Sequence, residues 1–179
     1  MVDQLFVLRD LLEHRRPAYD GTVVHIDFNN SSIRKLDNFY LNRSHHAQVV
    51  RNLATMQVAA QAYDFIFAAR TNAADDAALL EATATSNAVY FGLAMTLTQD
   101  SPPLAQQSLR PEERRYLGET AWRVAVAGDV SAFYAGTNPL MTFLPLATTA
   151  RGLGYLSIVA DRDGVFRRMP LLVRYGSAF

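Results

Sequence analysis

The spacing of apolar residues changes period along the chain, and each change marks an element. From position 2 to 14, Leu5, Leu8 and Leu12 fall on one side while Arg9, Asp10 and Glu13 fall on others, which predicts an amphipathic helix ended by Arg15, Arg16 and Pro17. Residues 22–28, Thr-Val-Val-His-Ile-Asp-Phe, are β-branched or aromatic at most positions, follow Gly21 and precede Asn29, Asn30, Ser31 and Ser32, so they read as a strand leaving into a turn. Ser44 then offers a cap to a helix whose Val50, Leu53, Ala54 and Val58 recur at helical spacing. Residues 62–67 read as a second strand, and a helical crossover makes it parallel to the first. A loop at 71–76 leads into a further helix carrying Leu79 and Leu80, with Asp75 as its cap and Asp76 beside the helix dipole. Residues 88–95 are almost continuously apolar, as a strand covered on both faces requires.

Beyond Gln99 the pattern weakens. Residues 99–136 read as a surface excursion in which Pro111, Glu112 and Glu113 start a helix, and Trp122 with the Val124–Val126 run supplies its packing face. Residues 145–151 suggest a short helix closed by Gly152, followed by a strand at 153–159, a hairpin turn at Asp161-Arg162-Asp163-Gly164 and a returning strand at 165–175. Pro170 donates no ladder hydrogen bond and places that last strand at an edge or interrupts it. The expected architecture is therefore α/β: a three-layer sandwich with a mostly parallel central sheet ending in an antiparallel edge hairpin. It divides into a β-α-β-α-β core at 22–98, the excursion at 99–136 and a helix plus β-hairpin at 137–179.

Composition narrows the possibilities. With 179 residues, half of them apolar, the chain builds one core and is short for two. Seventeen basic residues balance seventeen acidic ones, so no field of one sign recruits nucleic acid or an anionic membrane. The absence of cysteine removes disulfides, thiolate zinc sites and a cysteine nucleophile. The uncharged runs at 82–99 and 130–150 are too polar or too interrupted for lipid, given Thr83, Ser86 and Asn87 in one and Asn138, Pro139 and Pro145 in the other. Charges at Asp3, Arg9 and Asp10 break up the only apolar run that an export signal would need. The chain as written reads as soluble.

Two carboxylates stand near the downstream ends of the first two expected strands, Asp27 and Asp64, where open parallel sheets bind their ligands. Arg43 is expected to neutralise them or to clamp an anionic ligand, and the three form the candidate ligand-binding set, against the plainer role of capping loops and helices. No catalytic residue is assigned, and no cofactor or metal is expected. A phosphatase pattern fails at Asn29, which cannot act as a general acid, and Lys35 is the chain's single lysine. A calcium loop at 161–164 fails because Val159 and Pro170 occupy the terminal ligand positions. Adjacent His45 and His46 diverge by about 100° on a helix and do not chelate one metal. Arg151-Gly152-Leu153-Gly154 lacks the third glycine of a dinucleotide cradle.

The order Thr22-Val23-Val24-His25-Ile26-Asp27, Ser31-Ser32-Ile33, Arg43 before His46-Ala47, Tyr63-Asp64-Phe65-Ile66-Phe67 and Asp75-Asp76-Ala77-Ala78-Leu79 resembles the CHASE2 sensor domain of bacterial signalling receptors. The run Leu153-Gly154-Tyr155 with Asp161-Arg162-Asp163-Gly164 and Arg167-Arg168-Met169-Pro170-Leu171 is similar to that family's later signature. The resemblance implies an extracytoplasmic (periplasmic) ligand-sensing domain for an undefined small-molecule ligand, and its signal is expected to arise from differential binding in two arrangements of a homodimer. It also implies membrane-anchoring helices on both sides, lying outside this chain, and a cytoplasmic cyclase or kinase as output. On that reading the chain is a fragment trimmed at both ends. It departs from the family where Phe39-Tyr40-Leu41-Asn42 replaces a usual Trp-Pro, and where Phe28 replaces a usual second acid. The alternative is a soluble α/β hydrolase or phosphotransferase using the strand-end acids.

Overall fold

The structure, a computed structural model, describes Leu11 and residues 21–35, 41–99 and 109–179. The expected helix at 2–14 lies outside the described residues, apart from Leu11. The chain forms two compact units, residues 1–40 and residues 41–179.

In the first unit, the run at 22–28 joins no β-ladder among the described residues, which corrects the expected first strand. Val23, Val24 and Ile26 are exposed, Val24 by 76%. Strand propensity reflects fit to a half-buried pleated surface, and without such a surface Thr, Val and Ile specify only an extended chain. The expected turn at 29–32 instead opens helix α1, Asn30–Lys35. The Asn29 side chain accepts from the N–H groups of Ser31 (3.0 Å) and Ser32 (3.1 Å), satisfying donors that the first helical turn leaves free.

The second unit contains α2 (Arg43–Thr55), β1 (Gln61–Ala62), α3 (Ala73–Ser86), β2 (Val89–Thr98), α4 (Pro111–Thr120), β3 (Ala135–Met141), α5 (Leu144–Thr149) and β4 (Gly152–Tyr155). The β2 strand is the spine of the sheet. β1 and β4 run parallel to it, in the registers Gln61 with Val89 and Tyr90 with Gly152. β3 runs antiparallel to its second half, from Leu93 opposite Met141 to Thr98 opposite Ala135. The expected α/β class and mostly parallel sheet therefore stand. The parallel partner of β1 is β2 rather than the run at 22–28, and the antiparallel strand is β3 rather than a terminal hairpin. The turn at 161–164 does form, the Gly164 N–H reaching the Asp161 carbonyl at 2.8 Å, but the residues after it make no ladder with β4. Arg174 instead bridges Ala135 at the start of β3.

Capping also sits earlier than expected. Asn42, not Ser44, caps α2 by accepting from the His45 N–H at 3.1 Å, and Asn72, not Asp75, caps α3 by accepting from the Ala74 N–H at 2.8 Å. Asparagine caps as well as serine or aspartate, and the shifts draw Arg43 into α2 and Asp75 into α3. α3 closes on Asn87 in the left-handed conformation, φ 48°. Gln61 ties three elements together, donating from Nε2 to the Val50 carbonyl (3.1 Å) and to Ser86 Oγ (3.0 Å).

Val89 and Phe91 of β2 face a core of Ala47 and Val50 from α2, Leu79 and Ala82 from α3, and Phe143 and Leu146. Leu93, next on the same face, packs on a smaller cluster of Leu117, Met141 and Ala147. On the alternate side, Gly92 lets the chain leaving β1 approach closely. A Cβ there would stand 2.9 Å from the Phe65 carbonyl oxygen and 3.0 Å from Ile66 Cγ1. Because the obstacle is partly backbone, Gly92→Ala is expected to cost about 1–3 kcal/mol in a urea titration; a loss below about 0.5 kcal/mol would show the strands separating freely.

Candidate functional site

The buried stripe of α2 is Arg43, His46, Ala47 and Val50, a helical i, i+3, i+4, i+7 pattern in which the first two members are polar. The stripe of α3 likewise begins with a charge, Asp76, followed by Leu79, Ala82 and Thr83. Where α2 packs on α3 the two charges meet. Arg43 Nη1 donates to Asp76 Oδ1, with both side chains 8% exposed, and Nη2 donates to the Ala69 carbonyl. The guanidinium also lies over the rings of Phe143, at 4.8 Å to its centroid, and Phe67, at 5.4 Å.

Asp76 completes the arrangement from the other side. Its Oδ2 accepts from the Thr71 N–H at 3.2 Å and its Oδ1 from the Thr71 hydroxyl at 3.2 Å. Burial pushes the carboxyl up, but the Arg43 hydrogen bond, the Thr71 contacts and the Arg43 charge together hold it below its ordinary value. The loop at 68–72 is thereby gripped at two points, Ala69 by the cation and Thr71 by the anion. It follows directly on the chain leaving β1, whose run continues beside β2 as far as the bond from the Gly92 N–H to the Phe65 carbonyl at 2.9 Å. That is the carboxyl end of a parallel strand, the rim at which open α/β sheets place ligands. Ala68, Ala69, Arg70 and Thr71 are exposed there, and Arg70 stands 5.9 Å from the Phe143 ring.

Of the sequence-predicted residues, Arg43 and Asp64 lie in this unit and Asp27 in the other. Arg43 is buried and pairs with Asp76; Asp64 and Asp27 are exposed and make no ion pair among the described residues. Asp76, expected only to favour the helix dipole, is the partner that sequence reasoning missed. The available signal was that two facing helices each begin their core stripe with a charge, of opposite sign. His46 is also buried, with its ring meeting Phe65 and Phe67 edge-on at 5.1 and 5.2 Å.

A second charged cluster fastens the turn at 161–164. Arg167 donates to both oxygens of Asp163, each at 2.8 Å, and to Asp161 at 3.2 Å. The Asp163 carboxyl is held down to about 2, chiefly by the Arg167 hydrogen bonds. Among the described residues no group of three histidines and carboxylates is placed to hold a metal ion, and no helix is long and apolar enough to cross a membrane.

The second unit is thus an α/β fold in which a buried arginine and aspartate grip the loop at a parallel-strand rim. The sequence profile of the CHASE2 domain matches residues 1–179, and the chain belongs to that family. A CHASE2 domain is a sensor and is not itself catalytic. No curated protein and no solved structure matches the chain.

Proposed function

We propose that this chain is the extracytoplasmic, ligand-sensing part of a membrane-anchored bacterial receptor, acting as a homodimer to control a cytoplasmic cyclase or kinase. The observation that carries the proposal is the family match over the full length of the chain, joined to a loop at the ligand-binding rim that a buried ion pair holds in one arrangement. A small molecule contacting that loop would act by binding one arrangement more tightly than another. Arg43 would set the loop and neutralise charge near it. Asp64 would accept hydrogen bonds at the exposed rim. Asp27 is a contact candidate within its own unit.

The test is a thermal-shift screen of small polar metabolites on the whole chain, repeated on Asp64→Asn and Asp27→Asn. Both acids are exposed, so each variant alone should melt within about 2 °C of the parent. A ligand that stabilises the parent by RT ln(1 + [L]/Kd), and so raises its midpoint, should raise that of Asp64→Asn less. A full shift in both variants would remove the two acids from the site. In the parent receptor, a reporter enzyme that is active only outside the cytoplasm, inserted within this domain, should be active; an inactive reporter in a stably expressed fusion counts against the assigned location.

A further inference from the structure

After β4 the chain leaves the sheet and later returns to it. The Leu156 N–H donates to the Leu93 carbonyl at 2.8 Å on departure, and the Arg174 N–H donates to the Tyr134 carbonyl at 2.9 Å on return. Between these bonds the segment joins no β-ladder among the described residues and is stapled by Arg167, which bonds both Asp161 and Asp163. Past that turn its apolar side chains are exposed: Val165, Phe166 and Met169 each by about half, and Leu171 by 93%. Single exposed apolar residues are ordinary, but four within seven positions of one stapled segment mark an interaction surface. Leu171 projects from the surface, so it is placed to enter a partner rather than to line a pocket.

The charge around these residues selects the partner. Residues 156–174 carry four arginines against two aspartates, a local excess within a chain whose seventeen basic and seventeen acidic residues balance. Arg167 engages both aspartates, whereas Arg162 is exposed and Arg168, 3.5 Å from Asp161, keeps 82% of its side chain in solvent. We propose that residues 162–171 form a docking loop for an anionic phospholipid surface, with Phe166, Met169 and Leu171 entering the headgroup region and Arg162 and Arg168 pairing with lipid phosphates. Apolar burial and attraction to anionic lipid add at a membrane interface, and this loop offers both. A second copy of the chain fits worse, because a two-fold axis through the loop gathers the arginines of both copies on one interface. Nucleic acid also fits worse, because its phosphates take the arginines and leave Met169 and Leu171 in water. The Arg167 staple and the two end bonds hold the turn in advance, so little ordering remains to oppose docking. The inference is independent of the receptor reading, since it concerns the chain alone; within a receptor it would set which face of the second unit meets the bilayer.

The experiment is cosedimentation of the whole chain with vesicles of phosphatidylcholine, with and without about one-third phosphatidylglycerol. The chain should pellet with the anionic vesicles at about 50 mM salt, and about 300 mM salt should weaken the partition several-fold. Leu171→Ser should weaken it about tenfold. Arg162→Gln combined with Arg168→Gln should weaken it about 25-fold, fivefold for each charge removed from the surface. All three side chains are exposed, so the variants should melt within about 2 °C of the parent, which separates lost docking from lost fold. Failure of the parent to pellet with anionic vesicles overturns the proposal, as does equal pelleting with pure phosphatidylcholine or pelleting that Leu171→Ser leaves unchanged. Self-association of the parent without lipid, abolished by Leu171→Ser in sedimentation velocity, would assign the loop to a second copy and overturn it as well.

Discussion

Methionine in place of Arg43 lowers the free energy of unfolding by about 3–5 kcal/mol, because it strands the Asp76 carboxylate in a buried site and leaves the Ala69 carbonyl without its donor. A urea titration read by circular dichroism measures the loss as a fall in midpoint at constant slope. Replacing both partners, Arg43→Met with Asp76→Leu, should recover part of it, since an apolar pair leaves no uncompensated charge. The pH dependence separates the two states further. In the parent chain the Asp76 carboxyl lies below its ordinary 3.8, so its contribution is present above that pH and lost as pH falls through the folded value. In Arg43→Met burial acts on the carboxyl without its main counterweight and raises it, so the sign reverses and the variant's deficit narrows as pH is lowered towards about 4. A loss under about 1 kcal/mol, or a deficit that widens in acid, would mean that the pair is solvated in solution.

Truncating Phe91 to alanine is expected to cost a similar amount, about 3–5 kcal/mol. The side chain is 1% exposed, and its ring centroid lies 5.5 Å from those of both Tyr63 and Phe67. It is the point where the spine strand meets the exit of β1 and the buried faces of α2 and α3. Such a site collapses poorly, because three elements would have to shift together to fill the void. The midpoint of denaturant unfolding should fall while the slope holds; a cost near 1 kcal/mol would show that α3 moves freely over the sheet.

The elements most legible in the sequence were those where one pattern dominated. The apolar run around Val89 to Met95 is the spine strand, Pro111 with its following glutamates starts α4, and the Asp161 to Gly164 turn forms as its chemistry requires. β3 was illegible because Gly136, Asn138 and Pro139 each argue against a strand. The structure reconciles them with a register shift opposite Ala94 to Thr96 and with Asn138 in the left-handed region, φ 47°. The run at 22–28 erred in the other direction: Val23, Val24 and Ile26 have the composition of a strand and join no ladder among the described residues. Within the candidate site, Arg43 was singled out with other partners in view. Its true partner sits 33 residues away on another helix, a pairing that depends on how α2 packs on α3 rather than on local spacing.

The claim on which the account rests is that the Arg43 and Asp76 pair holds the rim loop in place. Amide hydrogen exchange of the parent chain and Asp76→Asn, compared residue by residue under conditions where both are folded, tests it most directly. Exchange should quicken at residues 68–72 while β2 and β3 keep their protection. Unchanged exchange at 68–72, or an equal rise across the whole sheet, would contradict it.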